Sequence, residues 1–73
     1  MFKIEKTIHT ATSDAAREVA RIMEEVSTKG IIEVVAQGKG YYTVTTKMSK
    51  KCWRKAFEQI EKVDGVFGFY IIP

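Results

Sequence analysis

Seventy-three residues make a single domain (1–73), and 45% apolar with 29% charged residues excludes a disordered chain. No apolar run approaches the roughly 20 residues of a bilayer span, and one cysteine, Cys52, excludes an internal disulfide. The net charge of +3 is uneven: residues 1–36 hold five basic and six acidic side chains (−1), residues 37–73 seven and three (+4).

Residues 2–9, "FKIEKTIH", alternate, with Phe2, Ile4 and Ile8 on one side and Lys3, Glu5, Thr7 and His9 on the other. Period two with β-branched residues predicts a half-buried strand. "TATSD" breaks the alternation and offers Thr12, Ser13 or Asp14 as a helix N-cap. Ala16, Val19, Ala20, Met23 and Val26, with Ile22 at the edge, then mark the apolar face of a helix. Arg21 and Glu25 sit at i,i+4 on its wet side, and "STKG" ends it with Gly30 as the expected C-terminal cap.

Strands follow at 31–37 and 41–46, around "GKG". A two-residue turn at Gly38-Lys39 would set Glu33 opposite Val44 and mix the two faces. A three-residue loop with Gly40 in the left-handed region pairs Ala36 with Tyr42 and Val34 with Val44, and is the reading preferred here. Ser49 caps a second helix with an apolar arc of Cys52, Trp53, Ala56, Phe57, Ile60 and Val63. Asp64-Gly65 turns into a last strand at 66–72.

The order βαββαβ predicts an α+β ferredoxin-like sandwich: a four-stranded antiparallel sheet, order 4-1-3-2, with two helices on one face. The covered face is assigned Phe2, Ile4, Ile8, Ile32, Val34, Ala36, Tyr42, Val44, Phe67, Phe69 and Ile71. The open face then carries Ile31, Val35, Tyr41, Thr43, Tyr70 and Ile72 as candidate partner-binding positions, beside Lys3, Glu5, Thr7, Glu33 and Thr45.

Catalytic and metal chemistry find little to work with. His9 and Cys52 are the only soft ligands, on different elements and without Cys-x-x-Cys spacing, so no metal, cofactor or catalytic residue is expected. His9 reads as a structural histidine and Cys52 as a small buried hydrophobe. "GKGYYT" lacks the third glycine of a dinucleotide fingerprint and precedes a strand rather than a helix.

Two features do suggest binding. "KGYYTVTT" resembles the motif on the third strand of RNA-recognition domains at Lys39, Gly40, Tyr41 and Val44, while Thr43 and Thr46 stand where further aromatics are expected. The resemblance makes Tyr41 a candidate stacking residue. "KMSKKCWRK" carries five cations and no anion around the start of the second helix: Lys47, Lys50, Lys51, Arg54 and Lys55. Arg54 has a candidate partner in Glu58. Cations there oppose the helix dipole at a cost of a few tenths to about 1 kcal/mol each, and with free N–H groups they would attract phosphates.

The closing "IEKVDGVFGFYII", with Gly65-Val66 between helix and strand, resembles ACT-type regulatory domains and their small YbeD-like relatives, as do Lys39, Gly40 and Tyr42 at the third strand. ACT domains bind an amino acid with a loop after the first strand that usually carries a glycine; "HTATSD" has none. The resemblance therefore implies dimerisation through sheet edges or faces more strongly than a ligand. A short domain also gains from the extra burial of a homodimer. The expected function is a non-enzymatic, cytoplasmic interaction or regulatory module that self-associates or binds a partner protein. The alternative is binding of RNA or a single strand at the basic helix start. No membrane partner is expected.

Overall fold

The computed structural model describes residues 3–27 and 30–71, the last four by backbone alone. Phe2 and Ile72 lie outside the described residues. The elements are β1 (Ile4–Thr10), α1 (Ser13–Val26), β2 (Glu33–Gly38), β3 (Tyr41–Met48), α2 (Lys50–Ile60) and β4 (Val66–Ile71). The strands form one antiparallel sheet in the order β2-β3-β1-β4, which is the expected 4-1-3-2 arrangement.

Local sequence accounts for the element ends. Thr12 caps α1, its hydroxyl accepting the Ala15 N–H at 3.0 Å. Ser49 caps α2 through the Cys52 N–H at 3.3 Å. The far end of α1 differs from expectation: Ser27 is the cap, its N–H bonded to the Met23 carbonyl at 2.9 Å. Gly30 instead lets the chain pass close to β3, where a Cβ would lie 3.2 Å from Thr46 Oγ1. That hydroxyl donates to the Ile31 carbonyl at 2.8 Å and pins the entry to β2. On the wet side of α1, Arg21 pairs with Glu25 at 2.7 Å and with Glu18, and its guanidinium holds the Glu18 carboxyl below its usual range.

The hairpin register follows from matching the apolar faces. Val34 pairs with Val44 and Ala36 with Tyr42, and a register shift between Ala36 and Gly38 sets Gly38 opposite Tyr41. Gly40 has φ +71°, a region costly for residues with a Cβ. At Gly38 a Cβ would meet nothing within 4 Å. Gly40→Val is therefore expected to destabilise by about 2 kcal/mol, and Gly38→Ala by less than about 0.5 kcal/mol. Denaturant midpoints of the two variants check the ranking.

The core forms where α1 and α2 lie over β1 and β3. Ile8, Val19, Met23, Val44, Met48, Trp53, Ala56 and Ile60 are essentially inaccessible. Ile22 is fully buried as well, rather than at the edge, because α2 packs beside it. Met48 joins the core because β3 runs two residues beyond the expected end. Buried threonines on this face are satisfied by backbone, with Thr10 donating to the Tyr42 carbonyl at 3.1 Å.

Two burial expectations change, and one face assignment with them. Val34 and Ala36 have the expected parity but are exposed, since the helices leave edge strand β2 uncovered. Phe67 is not in the core. A bulge between β1 and β4 pairs His9 with Gly68 and Thr10 with Val66, which skips Phe67. Bulges re-aim side chains, and this one turns Phe67 onto the open face at 60% exposure.

Candidate functional site

Three surfaces bring the expected binding residues together in different combinations. On the open face, His9, Tyr41 and Phe67 form a cluster. The His9 and Tyr41 rings stack at 5.6 Å, and Phe67 lies 6.2 Å from His9 and 5.8 Å from Tyr41. His9 Nδ1 and the Tyr41 hydroxyl are hydrogen-bonded at 2.7 Å. The histidine is thereby buried beneath aromatics, although it sits on the face away from the helices. Period-two alternation gave its side; what covers it follows from the Phe67 bulge.

Thr43 does not reach a partner. It is buried, and its hydroxyl accepts from the Gln37 amide at 3.1 Å. Next to it the Thr7 and Thr45 hydroxyls bond across the strands at 2.9 Å. Tyr70 occupies the register position opposite Thr7. The middle of the open face is thus closed by its own polar contacts, and among the described residues its exposed apolar side chains lie toward β2 and at Phe67.

The β2 edge is the second surface. Ile31 is 89% exposed on the way into the strand, Val34 49% and Val35 39%. Every β2 side chain is exposed. Natural edge strands are usually protected by lysine, proline, an inward charge or strong twisting. Between Glu33 and Gly38 there is no lysine and no proline, and the only charge is Glu33. The bulge comes only at the end of the strand, after Ala36.

The third surface is basic. Here the structure divides what the sequence placed together. Lys47 is on β3 opposite Glu5, and lines an open-face depression with Lys3, Glu5 and Glu33, so it belongs to a mixed-charge surface. Lys50, Lys51, Arg54 and Lys55 are exposed on α2, in the other layer of the fold. The change from strand to helix at Ser49 is what sends these neighbours to different layers. Arg54 makes no ion pair with Glu58 among the described residues.

A residue overlooked in the sequence completes the α2 surface. Lys6 has the parity of Ile4 and Ile8, and lies over the α2 aromatics with Nζ 4.5 Å from the Phe57 centroid and 5.7 Å from that of Trp53. Its signal was a lysine interrupting the apolar side of a strand. Trp53 beneath is buried, as its place on the apolar arc implied, and donates Nε1–H to the Ile4 carbonyl at 2.7 Å. Tyr41 and the α2 cations lie on opposite layers, so one short ligand segment does not meet both. Cys52 is half-buried against the core. Among the described residues no three His, Cys, Asp or Glu side chains converge as a metal site. No described helix is long and apolar enough to cross a membrane.

Comparison with solved structures supports the fold. A microcompartment protein from Desulfitobacterium hafniense superposes with a TM-score of 0.80 at 13% identity, over all of this chain and 42% of that one. The ACT domain of GTP pyrophosphokinase from Chlorobium tepidum matches with a TM-score of 0.75 at 16% identity, over 97% of both chains. The divalent cation tolerance protein Cut A1 from Thermus thermophilus matches at 0.68 and 13% identity, over 99% of this chain and 84% of that one. The chain has the ferredoxin-like fold, in a form similar to an ACT domain. It spans less than half of the microcompartment protein. No protein-family model and no curated protein sequence matches it.

Proposed function

We propose that the chain is a non-enzymatic interaction module of the cytoplasm that self-associates by pairing its β2 edge with that of a second copy. The observation that carries this reading is the unprotected edge, with Val34 and Val35 exposed on its two faces. An antiparallel, two-fold pairing centred on Val35 is self-complementary. It sets Val35 beside its counterpart on the open side, and Val34 beside the second copy's Ala36 on the helix side. Glu33 then faces Gln37, so the only charge in the strand never meets its own kind. The apolar residues that α1 leaves uncovered gain cover, and the outward backbone groups of β2 gain partners. The likeness to an ACT domain, a regulatory type of module, fits this reading at the level of fold.

Amide exchange tests it. Slowing of exchange in residues 33–38 as concentration rises from micromolar to millimolar, with α1 unchanged, is the expected result. Exchange in β2 that does not depend on concentration would exclude the β2 edge as the interface.

A further inference from the structure

We infer that the groove between β1 and α2 is a phosphate-binding track for single-stranded nucleic acid. The groove has a volume of about 170 Å³ and is lined by Ile4, Lys6, Lys50, Trp53, Arg54 and Phe57. Three of these six residues are cations, drawn from two elements, and none is acidic.

Lys6 is what makes this more than a charged helix end. Its stem runs on the covered side of the sheet, and its amine is held over the Phe57 ring. Part of the entropy lost when a lysine is fixed on a ligand is thus already spent. Lys50 and Arg54 stand one turn apart on α2, with Lys51 and Lys55 on the adjacent face at the same spacing. Four residues of helix rise about 6 Å, a step comparable to that between successive phosphates of a strand. Lys50 and Lys51 lie in the first turn of α2, where the positive end of the helix dipole adds to their charge.

The repeat of charge favours a phosphodiester strand over an acidic peptide. A peptide needs an apolar anchor buried in a pocket for most of its affinity. This groove has no vacant aromatic face to offer one, since Trp53 is buried and Phe57 lies beneath Lys6. For the same reason bases have no stacking platform there, and binding reads the backbone rather than the sequence. The site lies in the layer opposite Tyr41 and is independent of the β2 edge.

Anisotropy of a fluorescein-labelled oligothymidylate, titrated with the protein between 50 and 200 mM salt, tests the inference. Three phosphate contacts give a log–log slope of about −2 and a loss of affinity of roughly 20-fold over that range. Lys6→Met keeps an apolar stem over Phe57, and Arg54→Gln changes an exposed position, so both are expected to fold; circular dichroism verifies this. Each is expected to reduce the slope by about 0.7, to weaken thymidylate and adenylate strands alike, and to leave concentration-dependent β2 exchange unchanged. Tyr41→Phe is expected to leave the slope unaltered. Absence of binding at 50 mM salt, equal binding of polyglutamate, or variants with an unchanged slope would each overturn the assignment.

Discussion

Trp53→Ala is expected to leave much of the chain unfolded at 25 °C. The indole is buried between α2, β1 and the rest of the core, and its N–H satisfies the Ile4 carbonyl. Removing a buried tryptophan costs about 3–5 kcal/mol in lost transfer energy and cavity. Leaving the carbonyl without its donor adds about 1–3 kcal/mol if water does not reach it. A domain of 73 residues has a total stability of about 4–11 kcal/mol, so the two losses approach the whole. Trp53→Phe separates them: it keeps most of the volume and removes the donor. A loss of about 2 kcal/mol, or a melting temperature lower by roughly 8–16 °C, is expected for it. Thermal unfolding followed by far-ultraviolet circular dichroism reads both. A phenylalanine variant as stable as the parent would show that the Ile4 bond contributes nothing net.

Gly65→Ala is the second large effect. Gly65 has φ +96°, where a Cβ is strained whatever space surrounds it. Space is also lacking, because the added carbon would lie 3.0 Å from the Ala15 Cβ and 3.5 Å from Thr12 Oγ1. Those atoms belong to the capped first turn of α1, whose place is tied to this turn by the Ala11 N–H bond to the Gly65 carbonyl at 2.7 Å. The turn cannot relax without disturbing the cap. Backbone strain of about 1–3 kcal/mol and overpacking of about 1–3 kcal/mol together predict a loss of about 2–6 kcal/mol. Gly40→Ala, with a positive φ but its nearest contact at 3.8 Å, is expected to cost about 1 kcal/mol. Urea midpoints that ranked Gly40→Ala as the worse of the two would contradict the close approach at Ala15.

Much of the fold was legible because several local signals agreed. The hairpin register followed from requiring Val34, Ala36, Tyr42 and Val44 to share a face, and the caps at Thr12 and Ser49 followed from residue type. Trp53 was legible as core because its helical neighbours at one-turn spacing were apolar. What escaped depends on pairing between distant segments. The bulge that turns Phe67 outward exists only in the register of β4 against β1, and nothing in "VFGFYII" alone marks it. Exposure of Val34 and Ala36 depends on where the helices sit across the sheet, a quantity that periodicity does not carry. The basic run reads as one patch because its five cations gather around one helix start. The strand-to-helix switch at Ser49 then sent Lys47 to the open face, and tertiary packing brought Lys6 to the others. Lys6 was the missed clue: a cation with core parity needs a partner, and the α2 aromatics supply it.

Sedimentation equilibrium of the wild type and Val35→Lys tests self-association through β2 most directly. Val35 is an exposed residue of an edge strand, so the lysine does not disturb the core. In the two-fold pairing it would bring two like charges together at the centre of the interface. The wild type is expected to approach twice the 8.3 kDa chain mass as concentration rises through the micromolar range, and the variant to stay at 8.3 kDa, with a melting curve that matches the wild type's at concentrations where both are monomeric. A wild type that remains at 8.3 kDa up to millimolar concentration, or a Val35→Lys variant that dimerises as well as its parent, would contradict the account.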